Sequence, residues 1–140
     1  MKTWLYLPLI LLVFVFTGCT KTTNEVVIPN KTIFVGNITP DSWKYDNSDQ
    51  TYNLAISVPE LKGFTQSDGV IVSMGRYGSG GSAPTEFEML PEVFAKQSYN
   101  VLHNDQQVFV QIKGIDGAAS AAPTGTVAIK IVLIPSVVND

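Results

Sequence analysis

The chain has one cysteine, Cys19, and one histidine, His103, among 140 residues. A lone thiol forms no internal disulfide, so the fold must stand on burial of apolar surface. A lone imidazole builds no histidine metal cluster, and no nucleophile elbow accompanies it. Charge is sparse as well: 9 Lys and Arg stand against 12 Asp and Glu, a formal net charge of −3. Without a basic cluster the chain has no electrostatic means of holding a phosphate backbone, which excludes nucleic acid as a partner. No segment sustains a helical period. No apolar run reaches the roughly 20 residues that cross a bilayer. The longest, Trp4 to Phe16, is shorter and is interrupted by Pro8.

That run is placed with care. Lys2 precedes it, Thr17 and Gly18 follow it, and Cys19 closes it. A basic start, an apolar stretch and a small residue are the parts of a secretory signal. The segment resembles a bacterial lipoprotein signal peptide with its lipobox, with Phe16 and Thr17 in place of the more usual leucine and alanine or serine. The resemblance implies cleavage after Gly18 and acylation of Cys19. Each buried methylene contributes about 0.8 kcal/mol of membrane affinity, so one acyl chain holds a protein marginally and two or more hold it firmly. The expected organisation is a signal peptide over 1–18, a lipidated cysteine and tether over 19–30, and one folded domain over 31–140. Cleavage removes Lys2 and no acidic residue, leaving 122 residues with a formal charge of −4. Thr20 to Asn30 are rich in Thr and Asn, with too little apolar content to start a core; fully extended they reach about 35 to 40 Å.

The remainder alternates short bursts of Val, Ile, Tyr and Phe with Gly, Pro, Asn, Asp and Ser, the pattern of strands and turns. Seven strands are predicted, over 31–38, 50–58, 69–75, 85–90, 97–103, 106–113 and 126–134. Tyr52, Leu54, Ile56 and Val58 mark one face of a half-buried strand. Val127, Ile129, Ile131 and Leu133 do the same, and Val132 and Ile134 add apolar character to the second face. Asn104 and Asp105 are predicted to form the centre of a type I′ turn, pairing His103 with Gln106, Val101 with Val108 and Tyr99 with Val110. Glu92 to Gln97 can form one short helical turn. Strands without crossover helices predict an all-β protein, a single antiparallel β-sandwich of immunoglobulin-like architecture with about seven strands. Its expected core includes Ile33, Leu54, Ile56, Val72, Val108, Val110, Ile129 and Ile131.

Motifs of catalysis are weak. Gly75 to Ser82 approaches a phosphate-binding loop, but Gly81 stands where the lysine belongs and Ala83-Pro84 follows where a helix should begin. A strand-connecting loop is the expectation, with Arg76 and Tyr77 still able to touch a ligand. Glu86 and Glu88 share one strand face, which predicts a solvated surface and not a pair straddling a glycosidic bond. Asp46 to Asp49 lack the glycine and terminal glutamate of a calcium loop. His103 is expected at a turn. No metal, no cofactor and no catalytic residue are predicted. Aromatic rings in polar loops have the best functional claim, and Trp43, Tyr45 and Tyr77 are the candidate contacts for a ligand or partner, with Phe109 beside them. The competing expectation for Trp43 is a plug at one end of the sandwich.

The lipobox, Trp43 after the first strand, the strand ending in Val58-Pro59, the Gly69–Met74 strand, Leu90-Pro91 and the closing Lys130–Pro135 run together resemble the small β-sandwich lipoproteins of Bacteroidota envelopes, most of which have no assigned function. The resemblance implies a lipid-anchored, non-enzymatic protein of the cell envelope. Thr20 after the cysteine implies delivery to the outer membrane. Its expected role is a binding or accessory subunit whose partners are the membrane, through acylated Cys19, and an envelope protein or a glycan. The alternative is a glycan-binding module in which Trp43, Tyr45 or Tyr77 forms an exposed planar platform.

Overall fold

The computed structural model of the chain describes residues 29–64 and 68–136. Cys19, the segment 1–18 and the first part of the tether lie outside the described residues. Among the described residues there are nine strands: β1 (Lys31–Ile38), β2 (Lys44–Asp46), β3 (Thr51–Ser57), β4 (Gly69–Arg76), β5 (Glu88–Met89), β6 (Glu92–Phe94), β7 (Gln97–His103), β8 (Gln107–Gly114) and β9 (Val127–Ile134). They form two antiparallel sheets, ordered β1-β9-β4-β5 and β2-β3-β8-β7-β6, packed as a β-sandwich. The expected class holds, with nine strands where about seven were predicted. The strand predicted over 85–90 shrinks to Glu88–Met89, and β2 and β6 are too short to leave an alternating pattern.

Alternation decides which side chains meet. β9 lies between β1 and β4, so Ile129 sits opposite Val35 on one side and Met74 on the other. Ile129 and Ile131 are fully buried, whereas Val132 and Ile134 are half-buried on the outer face. On the facing sheet Leu54 pairs with Val110 and Ile56 with Val108, and all four point into the core. Seven of the eight expected core residues are buried. Ile33 is half-buried, because β1 is an edge strand with a neighbour on one side only. The chain changes sheet at both edges: from β1 to β2 through a short 3₁₀ turn at Pro40–Ser42, and from β5 to β6 through the cis Leu90–Pro91 bond.

Two turns differ from expectation, and each difference has a cause. The β7–β8 hairpin pairs His103 with Val108 and Val101 with Val110, a slip of two residues from the predicted register. A two-residue slip keeps every side chain on its predicted face, so the alternation could not reveal it. Neither Asn104 nor Asp105 adopts positive φ. Instead the Asn104 side-chain oxygen accepts from the backbone N–H of Gln106 and Gln107, at 2.9 and 2.7 Å, and this moves the turn one residue onward. The left-handed turn lies elsewhere: Ala95 and Lys96 have φ of 49° and 60° and join β6 to β7, where a helical turn was predicted. Ala and Lys carry no turn signature. The Lys96 carbonyl accepts from Ile115 N–H at 3.1 Å, so tertiary contact holds the shape.

Because left-handed geometry costs an ordinary L-residue about 1 to 2 kcal/mol, replacing Ala95-Lys96 by Asn-Gly should stabilise the protein by about 1 kcal/mol. Chemical denaturation should show a higher midpoint at unchanged slope. Gly114 carries the opposite expectation. A Cβ there would lie 2.0 Å from the Ala118 carbonyl oxygen, where the chain doubles back after β8. Backbone cannot swing aside as a flexible side chain does, so Gly114→Ala should destabilise by about 1 to 3 kcal/mol. An unchanged melting temperature would show that this loop is free to move.

Candidate functional site

The inward faces of the two sheets continue past the apolar core at one end, and there the residues become polar. On β4, Val72 and Met74 point inward and Arg76 follows in the same parity. Glu88 on β5 pairs with Met74 and so shares that face. On the facing sheet, Glu92 pairs with Tyr99 and Phe94 with Gln97, all on the inward side. The Arg76 guanidinium donates to the carboxylates of Glu88 and Glu92, the latter at 2.6 Å, and so ties the two sheets together. Its plane lies over the Phe94 ring at 4.2 Å, with the Tyr99 ring at 5.9 Å. Burial pulls the Arg76 pKa down, but the hydrogen-bonded Glu92 and Glu88 outweigh it and hold the group above its ordinary value. The charge is therefore permanent and internally compensated. Burial also pushes the Tyr99 phenol up, against the opposing pull of Arg76.

A cleft of about 350 Å³ opens beside this cluster, lined by Arg76, Tyr77, Phe94, Gln97, Tyr99 and the segment 121–127. Its loop wall is fixed by specific bonds. Buried Gln97 donates to the Ala119 carbonyl at 3.0 Å and accepts from Ala121 N–H at 3.1 Å. Ser120 accepts from Gly114 N–H and donates to the Gln50 carbonyl, and Tyr77 N–H donates to the Thr126 carbonyl at 3.1 Å. A second cleft of about 310 Å³ shares the Arg76–Phe94 pair and is lined by Met74, Thr85, Glu86 and Glu88 as well.

The three aromatic residues singled out by the sequence do not meet. Trp43 is only 4% exposed and belongs to the core, which removes it as a contact for a ligand. Trp43 ends the Pro40–Ser42 turn in an extended conformation just ahead of β2 and is buried in the core, while Tyr45, two residues on and in the edge strand β2, sits at the rim. The indole N–H is buried without a hydrogen-bond partner among the described residues. Tyr45 is 45% exposed but leans on its cross-strand neighbour Tyr52, ring centroids 5.0 Å apart. Tyr77 alone reaches the cleft, and its hydroxyl oxygen accepts from Asn37 N–H at 3.3 Å. The expected platform is thus dispersed. Phe109 is half-buried on the outer face of the five-stranded sheet, beside Ala55 and Leu102.

Phe94, Tyr99, Glu88 and Glu92 are the site residues the sequence reading passed over. A helical turn over 92–97 hid the inward parity that Glu92 and Phe94 share across the hairpin with Tyr99 and Gln97. Glu88 is exposed, as expected of a solvated strand face, but it also pairs with Arg76. The glycine loop closes on itself, with Gly78 N–H donating to the Ser82 carbonyl and Gly81 N–H to the Gly78 carbonyl, both at 3.1 Å, and it leads into no helix. His103 lies exposed at the other end of β7 from the cleft. Comparison with protein-family profiles, with curated proteins and with solved structures gives no match.

Proposed function

We propose that this is a lipid-anchored, non-catalytic protein of the bacterial envelope, of the Bacteroidota lipoprotein type and held at the outer membrane, that acts as a binding or accessory subunit. One observation supports it above the others: the chain enters the sandwich at the end opposite the cleft. β1 begins at Lys31, paired with Leu133, and ends at Ile38, paired with Val127 next to Arg76. Eight extended residues, about 25 Å, therefore separate the entry of the tether from the level of the cleft. With Cys19 acylated, the cleft faces away from the bilayer and toward a partner. Binding without catalysis is favoured by chemistry too. Glu88 and Glu92 are engaged by a permanent cation and serve as its ion-pair partners, and the sole histidine is at the wrong end for proton transfer.

The test is to fill the cleft. Thr124 is exposed and lines it, so Thr124→Trp should leave the melting temperature unchanged while abolishing whatever the wild type retains from envelope extract. Tyr45→Ala, at the β2 rim, should retain it. Equal retention by Thr124→Trp would contradict binding at the cleft.

A further inference from the structure

The two clefts share a ridge, Arg76 stacked on Phe94, and we propose that a linear, uncharged oligosaccharide binds across it, with ring faces against Phe94 and Tyr77 and hydroxyls on the Arg76–Glu88 pair. This rests on the cleft reading above and adds the ligand class. Charge removes the first competitor. Among the described residues Arg76 is the only cation lining either cleft, and it is already matched by two carboxylates, with Glu86 adding a further negative group. Phosphate, sulfate or uronate would meet net negative charge. Polarity removes the second. Volumes of about 350 and 310 Å³ sit at the small end of ligand pockets, and the threonines Thr85, Thr124 and Thr126 interrupt the apolar lining, so an acyl chain would leave polar groups without partners. Backbone removes the third: an extended peptide needs a strand edge to pair with, and the edges here, β5 and β6, are two and three residues long.

A neutral polyol needs what the ridge presents. Phe94 is 48% exposed and offers an aromatic surface to apolar ring C–H groups. The guanidinium is a planar donor fork beside carboxylate acceptors, and neighbouring hydroxyls of one sugar both donate and accept. Since the pair compensates its own charge, binding a neutral ligand leaves no ion unmatched. Two clefts sharing one ridge then read consecutive sugar units and select a chain over a monosaccharide.

The experiment is an array of neutral hexose and N-acetylhexosamine oligomers, with sialylated and sulfated glycans as contrasts, followed by titration calorimetry of the strongest neutral oligomer. Binding should be confined to neutral chains, should weaken about tenfold or more in Phe94→Ala and Tyr77→Ala, and should survive in Tyr45→Ala. Circular dichroism and a thermal melt of each variant exclude loss of fold. Arg76→Lys, which keeps the charge and loses the fork, should weaken the neutral oligomer as well. If no neutral oligomer binds the wild type at millimolar concentration, while Thr124→Trp still loses the envelope partner, the saccharide assignment falls and the cleft stands. If Thr124→Trp loses nothing, both fall. Preference for sialylated or sulfated chains would overturn the charge argument directly.

Discussion

Ile129→Ala is expected to destabilise the protein by about 2 to 5 kcal/mol, enough to lower the melting temperature of a domain this size by about 10 to 30 °C. Ile129 is fully buried on β9, the strand flanked by β1 and β4, and belongs to the same core cluster as Val108, Val110 and Ile112 of the other sheet. Deleting its side chain leaves a void that backbone paired on both sides cannot collapse into. With a single cysteine, no disulfide limits the loss. Leu102→Ala serves as the contrast. It removes a comparable side chain at 55% exposure on the outer face and should change stability by less than about 0.5 kcal/mol. Urea denaturation of the two variants measures the difference, and similar midpoints would mean that the interior is not close-packed around β9.

How much of this architecture the sequence disclosed depends on which physical signal carried it. Long strands with one apolar face announced themselves, since a period of two over seven or eight residues in β3 and β9 has no competing explanation. Faces were legible even where register was not: the β7–β8 hairpin slipped by two residues without moving Val101 or Val110 out of the core. Short elements were not legible. β2 and β6 are three residues each, and they form because longer neighbours offer them an edge, which is tertiary information. The Ala95-Lys96 turn illustrates the same point, being held by Ile115 and not by turn residues.

The candidate site was legible in part. Arg76 and Tyr77 stood out at the end of a strand, and both line the cleft. Of the two expectations for Trp43 the buried one holds: its polar sequence neighbours, Ser42 and Lys44, suggest a surface, but the turn ahead of β2 carries it into the interior. Phe94 and Tyr99 were hidden because their meeting requires the β6–β7 pairing, and Glu88 because its ion pair joins residues twelve positions apart with no local pattern.

The proposed membrane attachment rests on a single atom. Cys19 is the only thiol of the chain and follows its longest apolar run, so Cys19→Ala should remove lipid labelling and release the protein from the membrane fraction. The effect should be close to complete, because an acidic sandwich has no electrostatic attraction to anionic headgroups that would replace two or more acyl chains. Retention of the substituted protein on membranes after a high-salt wash would place the anchor elsewhere. The most direct measurement is the intact mass of wild-type protein extracted from membranes with detergent. The account predicts a chain that begins at Cys19 and carries the added mass of acyl chains on that residue. A chain that still contains residues 1–18, or one that begins elsewhere with an unmodified thiol, would contradict it.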